Sequence, residues 1–552
     1  MTGSDDFDPD TSTRSLTNHL VRQRYNTNVW DYYKEYHRIG EGSIGTVSLV
    51  RRKKGTEGGS AYNGGNVVSI GCFGGLFACL GKSKKAPRSI EKSSDSGPSS
   101  RRGRAKNSSN TSSCHAEEYA LKSIQLRLVE RKYLDELRNE ISVLRSLDHP
   151  NIVKAYEVYE TRKNIYVLME YCSGGDLYAR VPYTESQVAS VVSQMCSAIT
   201  HMHKNGVVHR DLKVENIMFE SRDPAARIKV LDFGLSKKFM PGASGVMTAW
   251  VGTVYTMAPQ VLNGIYNSKA DCWSIGVIAY LLLCDEKPFK GKKRTQLIQN
   301  IKICRYDFKS PAWRKMSQEA MEFVSSLLVY DQDERLSAAD ALNHPWLKKT
   351  QFPATETDAK AHVARMGSVR DNIMSYAKTS EFKRIAAVVV AHKSSPAEIA
   401  EMRKAFDKYD EKKDGVISME EFKLALSEFK YSDEELNDMF SKMDVNKNGV
   451  ILYTEFLAAT LEMHGRVEEK RLAEAFDHID DDDSGFISKA NLIKLLGETG
   501  PSIEKLLEEA DKDGDGMISF EEFLVMFRND NNLATEEEFP ESDVAESESD
   551  QD

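Results

Sequence analysis

The sequence predicts a multidomain chain, an α+β unit followed by an all-α unit built from a repeat, and three observations carry that expectation. At 552 residues the chain exceeds what one hydrophobic core usually organises. Charge divides along it: residues from 401 onward hold 42 of the 84 acidic but 17 of the 74 basic residues, about −25 against +15 in front. A twelve-residue Asp/Gly loop opens at Asp410, Asp444, Asp480 and Asp511, at spacings of 34, 36 and 31, each set between helix-period apolar residues. The opposite charges favour docking between the halves and give less ground for nucleic-acid binding than a uniformly basic chain, so no nucleic-acid partner is expected. An acidic module beside an ordinary domain also accounts for the division.

The eight cysteines fall between Cys72 and Cys304 without a CxxC pair, which fits a reducing compartment. The acidic start MTGSDDFDPD has no apolar core for a secretory or transit signal. Gly3 stands one position too late for N-myristoylation, which needs glycine directly after the initiator. The longest apolar stretch, Val67 to Leu80, is glycine-interrupted and short of the roughly 20 residues of a spanning helix. The expected setting is cytoplasmic, with peripheral membrane contact at most.

In the front half, IGEGSIGTVSLV places Gly40, Gly42, Gly45 and Val47 in a GxGxxG frame between two strand-like runs, so that backbone N–H groups can approach phosphates. Alone that frame is weak, because dinucleotide folds share it. Next come EEYALKSI, a strand with Ala120 and Lys122, and a helix whose stripe is Leu134, Leu137, Ile141 and Leu144. Glu140 lies at the stripe's margin, where its carboxylate can aim Lys122. The loop VVHRDLKVENIMF supplies Asp211, Lys213 and Asn216, and the strand IKVL leads into Asp232, Phe233 and Gly234.

These pieces in this order resemble the protein kinase catalytic domain from about Tyr33 to Leu347. The resemblance implies a two-lobed protein kinase fold in which the glycine loop covers ATP and Lys122 pairs with Glu140. It also implies that Asp211 accepts the substrate hydroxyl proton and that Asn216 and Asp232 hold magnesium. Met169, Glu170 and Cys172 would wall the adenine site. Lys213, with Thr253 bridging to it, resembles the serine/threonine class. Asp176 and Glu215 match carboxylates that face basic residues upstream of the acceptor, although an Asp at position 176 suits a helix cap equally well. Asp271 in DCWSIG is a further mark of the family.

Three departures stand out. Ala258, Pro259 and Gln260 replace Ala-Pro-Glu, so the expected ion pair with Arg335 becomes a neutral hydrogen bond, worth about 1 kcal/mol against roughly 1.5–3 for a charged one. No Asp or Glu lies between Phe233 and Pro259 to meet Arg210, and phosphorylation of Thr248 or Ser244 would supply that anion. The Gly/Ser/Lys/Arg-rich insert 51–117 reads as a surface excursion, closable at small entropic cost. Within it, Cys72 and Cys79 could be acylated, but a packed segment with free thiols is the favoured reading.

In the back half, DEKKDGVISMEE, DVNKNGVILYTE, DDDDSGFISKAN and DKDGDGMISFEE have EF-hand spacing: oxygens at positions 1, 3 and 5, glycine at 6, a carbonyl at 7 and a bidentate carboxylate at 12. Loop 2 is complete with Asp444, Asn446, Asn448, Val450 and Glu455. Loop 4 is complete with Asp511, Asp513, Asp515, Met517 and Glu522. Loop 1 keeps Asp410, Asp414 and Glu421 but carries Lys412 at position 3. Loop 3 keeps Asp480, Asp482 and Ser484 but ends at Asn491. Both should bind calcium weakly. Ile417 with Ile451, and Ile487 with Ile518, should pair the loops.

The expected boundaries are 1–32, a variable segment; 33–347, the kinase domain; 348–400, a junction; 401–529, a calmodulin-like domain of four EF-hands; and 530–552, an acidic disordered tail. The junction places Met374, Phe382, Ile385 and Val389 on one face of a basic helix that reads as a calmodulin-type target. The whole order resembles the calcium-dependent protein kinases of plants and alveolate protists. That resemblance implies Mg2+ with ATP and Ca2+ as cofactors, protein substrates, and a junction helix that inhibits until calcium lets the EF-hands take it, with a groove containing Met439 and Met443. Lys378 falls on the apolar face of that helix and is a candidate plug for the catalytic cleft, a snorkelling lysine being an equal reading, and a monomer is expected. The alternatives are a calcium-responsive scaffold with a weakly active kinase fold and a constitutive kinase with a calcium-buffering tail.

Overall fold

Buried apolar residues such as Val50, Leu121, Val158 and Leu168 hold the small-lobe sheet together. The computed structural model describes residues 16–41, 45–53, 117–129, 134–234, 236–238, 247, 251–349, 356–461, 467–497 and 502–528. Gly42, Cys72, Cys79, Ser244, Thr248 and the acidic tail lie outside the described residues. Six strands, β1 (Arg22–Tyr25), β2 (Tyr33–Glu41), β3 (Gly45–Arg52), β4 (Glu118–Gln125), β5 (Ala155–Glu160) and β6 (Asn164–Glu170), lie in the order β1-β5-β6-β4-β3-β2. β3 and β4 are antiparallel neighbours with Val47 opposite Lys122 and Arg51 opposite Glu118, so both ends of the long insert meet at one hairpin mouth. β1 runs parallel to β5. Residues before 33 therefore contribute a strand to this sheet, which sequence periodicity did not suggest.

Helix α1 (Leu134–Ser146) carries Glu140 beneath the sheet. In the large lobe, α2 (Glu185–Lys204) starts at a capping box of Thr184 and Gln187. α3 (Lys269–Cys284) is buried at every residue after Lys269. One apolar cluster runs from Ile141 through Val192 and Phe233 to Trp346, so both lobes meet the catalytic loop on a continuous core.

The junction is two helices, α4 (Glu356–Lys378) and α5 (Glu381–Lys393), where the sequence suggested one continuous stripe. Ser380 breaks them: its side chain accepts the Lys383 N–H and caps α5. Phe382, Ile385 and Val389 are buried in one cluster with Phe406, Phe456, Phe476 and Phe523 of the EF-hands. In each EF-hand pair the loops join by a short antiparallel ladder, Ile417 opposite Ile451 and Ile487 opposite Ile518. The glycine at position 6 has φ of 83–85° in all four loops, the left-handed turn that only glycine makes cheaply. Among the described residues, no helix is long and apolar enough to cross a membrane.

Candidate functional site

Three separated segments converge between the lobes. From β4, Lys122 Nζ reaches Glu140 Oε1 at 2.5 Å and Asp232 Oδ1 at 3.4 Å. Burial opposes the charge on Lys122, but Glu140 and Asp232 raise its ammonium above the ordinary lysine value. Burial likewise opposes ionisation of Asp232, yet Lys122 holds that carboxyl below its usual range. Both groups are therefore charged at neutral pH, as phosphate and metal binding require.

The catalytic loop is tied from both sides. Asp211 Oδ1 accepts the Thr253 hydroxyl at 2.7 Å, and Asp211 Oδ2 takes Lys213 Nζ at 2.6 Å. Lys213 also reaches Thr253 Oγ1 at 3.4 Å, and Asn216 Nδ2 donates to the Asp211 carbonyl at 2.9 Å. Two residues absent from the candidate set support this loop from beneath. Asp271 accepts the backbone N–H groups of His209 and Arg210, each at 2.9 Å. The His209 ring lies tilted against Phe233, centroids 5.4 Å apart, and its Nε2 lies 3.0 Å from the Leu231 carbonyl. In the sequence, Asp271 is legible only as a mark of the family within DCWSIG. His209 was legible in VVHRD, but an apolar-flanked histidine alone gives no role. Arg210 and Asp232 hold φ of 68° and 61°, left-handed backbone at two residues of this site.

Around it, Ala120 lies opposite Met169 in the sheet, and Gly40 opposite Val47. A Cβ on Gly45 would fall 2.0 Å from the Ser123 carbonyl oxygen, so glycine is required there for the close strand approach. Glu170 is buried and pairs with Lys229 at 2.8 Å, and Cys172 is buried beside it. Asp176 accepts the Ala179 N–H at 3.2 Å as a helix cap, and Glu215 accepts the Tyr255 hydroxyl at 2.9 Å. Gln260 Oε1 accepts from the Arg335 guanidinium at 2.9 Å, a bond in which only the arginine is charged, so it is not the neutral bond expected at this position. Arg335 is also held by the carbonyls of Val329 and Lys269, and burial pushes its guanidinium down to about 10. Lys378 departs from expectation. It is exposed at the end of α4, while its neighbours Ile373, Tyr376 and Ala377 are buried, so it is not on the apolar face.

The calcium loops differ in how their oxygens are held. In loop 4, carboxylate oxygens of Asp511, Asp513 and Glu522 lie within 4.8 Å of one another. Asp515 accepts the Met517 N–H at 2.8 Å, which turns that peptide as a position-7 ligand requires. In loop 2, Asp444 accepts the Asn448 and Gly449 N–H groups at 3.0 and 2.8 Å, and Asn448 accepts that of Val450 at 2.9 Å. Glu455 accepts those of Asn446 and Leu452 at 3.1 and 2.8 Å. Burial pushes the Glu455 carboxyl up to about 8, a shift that a divalent cation would reverse. Both donor sets are all-oxygen and suit Ca2+. In loop 1, Asp410, Asp414 and Glu421 are buried, and Asp414 pairs with Lys204 of the large lobe. In loop 3, Asp480 accepts the Ser484 and Gly485 N–H groups, while Asn491 Nδ2 donates to Asp482 at 3.3 Å. Met439 and Met443 are buried in the cluster that also holds α5.

Comparison with known proteins agrees with this geometry. The protein kinase domain family matches residues 103–347, and the EF-hand domain pair family matches 399–461 and 469–528. Calcium-dependent protein kinase 34 of Arabidopsis thaliana is 34% identical over 427 residues, covering 75% of this chain and 80% of that relative. Calcium-dependent protein kinase 29 of the same plant is 36% identical over 430 residues, 76% and 79% of the two chains. Calcium-dependent protein kinase 7 of Oryza sativa subsp. japonica is 33% identical over 425 residues, 75% and 77% of the two chains.

Proposed function

Because the chain belongs to the calcium-dependent protein kinases, we propose that calcium at its loops 2 and 4 governs, through the junction helix α5, the catalytic site built around Lys122 and Asp211. The protein is a calcium-activated serine/threonine protein kinase that uses ATP with Mg2+. Bound Mg-ATP supplies the phosphoryl group and much of the charge neutralisation its transfer needs. Lys122, aimed by Glu140, would hold the α- and β-phosphates, and Asn216 with Asp232 would hold the metal. The backbone at Gly40, Gly42 and Gly45 would cover the phosphates, while Val47, Ala120, Met169, Glu170 and Cys172 enclose the base.

Asp211 then faces the acceptor hydroxyl with both oxygens oriented by Thr253 and Lys213, and takes its proton as the phosphoryl group moves. Lys213 leaves a positive charge beside the group in flight. Such a site works by alignment and electrostatics, with few covalent steps for the protein to perform. Asp176 and Glu215 would favour basic residues before the acceptor.

α5 supports the switch reading because its apolar face is packed among EF-hand helices while its C-terminal end touches the small lobe. His392 Nε2 lies 3.1 Å from the Ala155 carbonyl, and Lys393 lies 3.6 Å from Glu157 on β5. Calcium loading would favour this arrangement, and its loss would release α5 to inhibit the kinase domain. Lys378 is given no plug role. The chain would act as a cytoplasmic monomer on protein substrates.

The convergence of Lys122, Glu140, Asp232, Asp211 and Thr253 carries this reading. Phosphate transfer from Mg-ATP to a basic serine peptide tests it, with and without micromolar calcium. Lys122→Met should lose transfer under all conditions, and transfer retained in that variant would refute the site.

A further inference from the structure

The two loops with incomplete ligand sets also fasten the EF-hand domain to the kinase domain. We propose that loop 3 is a calcium-independent docking site for the arginines of β1, which seat on its backbone carbonyls and on Asp481 and Asp483, aspartates beside the ligand positions Asp480 and Asp482. Arg22, its side chain 1% exposed, donates to the backbone carbonyls of Asp477, Asp480 and Asp481 at 2.6, 2.8 and 2.9 Å and to Asp483 Oδ1 at 2.9 Å. It thereby caps the C-terminal end of the helix Glu469–Ile479, where orphan carbonyls and the helix dipole favour a cation. Arg24 reaches both Asp483 oxygens, at 2.5 and 3.2 Å, over the Tyr32 ring, and the Tyr32 hydroxyl donates to Asp483 at 3.2 Å. From β3, Arg52 donates to Asp477 Oδ2 at 2.7 Å.

Inside the loop, the Asn491 carbonyl oxygen accepts the Ser488 N–H at 2.8 Å and its amide nitrogen donates to Asp482. A donor thus stands where bidentate ligation needs a second oxygen, and the loop is held closed by protein hydrogen bonds. Loop 1 offers a parallel: Asp414 pairs with Lys204, the Asp414 carbonyl lies 3.3 Å from His201 Nδ1, and a Cβ on Gly415 would strike the His149 ring. In loop 4, the carboxylates accept backbone N–H groups and the Ser519 hydroxyl. Because Arg22 lies opposite Glu157 in the sheet, the loop-3 contact anchors the EF-hand domain to the strand that α5 touches. Loop 3 becomes a fixed pivot, about which calcium at loops 2 and 4 acts.

Amide hydrogen exchange and calcium stoichiometry on the full chain test this without reference to catalysis, so failure of the kinase reading would leave the result interpretable. In wild type, amides of 480–487 should be equally protected with calcium and with chelator. Arg24→Gln and Asp483→Asn should each raise exchange there about tenfold, with the double variant no worse than either single, the signature of one shared contact. The exposed Lys494→Gln, which removes a partner of Asp481, should change little. Asp480→Asn/Asp482→Asn should leave the calcium count of the protein unchanged. The proposal is overturned if loop 3 is protected only with calcium, if the Arg24 and Asp483 effects are absent or simply add, or if Asp480→Asn/Asp482→Asn removes a bound ion.

Discussion

Loops 3 and 4 share one short β-ladder yet treat their charge in opposite ways. Loop 3 has lost its closing carboxylate; Arg22 and Arg24 meet Asp483, the Asn491 amide meets Asp482, and Arg52 meets Asp477 on the helix before the loop. Loop 4 keeps every ligand, and three of its carboxylates gather around one point on an exposed surface. A permanent cation makes a joint and an exchangeable one makes a sensor. On the proposal above, loop 3 holds two domains together while loop 4 is left to bind calcium.

Glu522→Gln gives the largest expected effect. Loss of the bidentate ligand should weaken calcium at loop 4 by about a hundredfold, read by calorimetric titration. If affinity is unchanged, the contrast between the loops collapses. Asn491→Glu sharpens it from the other side: restoring a carboxylate at position 12 should add a calcium site to loop 3, weaker than loop 4 by about tenfold because the Arg24–Asp483 contact persists. A variant that gains no ion would mean that the arginines alone exclude it.

Acid should separate the joint from the sensor next. Burial opposes ionisation of Asp483, Glu220 and Glu157, but Arg24, Arg403 and Lys393 respectively hold these carboxyls below the ordinary range. Their folded values lie under the unfolded ones, so the stability they add is complete above about pH 4.5 and is lost as pH falls through the folded values. With calcium bound at loops 2 and 4, the thermal midpoint should drop as pH falls below about 4. Arg24→Gln should show a smaller drop. The smallest effect lies far from both loops: Gln260→Glu gives buried Arg335 a charged partner and should stabilise the large lobe by about 1 kcal/mol, a rise of roughly 2–4 °C in Tm.

The residues that the structure brings together between the lobes were legible because they sit in short motifs whose chemistry needs neighbours in sequence, as in HRDLKVEN and DFG. The EF-hand loops were legible for the same reason, down to the missing ligands at Lys412 and Asn491. The break between α4 and α5 left a local signal, Ser380 standing as a cap before an apolar run, which the continuous stripe from Met374 to Val389 masked. The role of Arg22 and Arg24 left none. Their partners lie more than 450 residues away, and RQRY reads as an exposed basic patch until β1 is seen beside β5. Long-range pairing is decided by packing, which composition and periodicity do not encode.

The measurement that reaches the central claim most directly is a calcium titration of peptide phosphorylation. It compares wild type, the Glu455→Gln/Glu522→Gln double variant and Asp480→Asn/Asp482→Asn in the full chain. Wild type and the loop-3 variant should be stimulated at the same calcium concentration, while the double variant stays at its calcium-free rate. Stimulation that survives in the double variant, or that vanishes in the loop-3 variant, would contradict the assignment of the switch to loops 2 and 4.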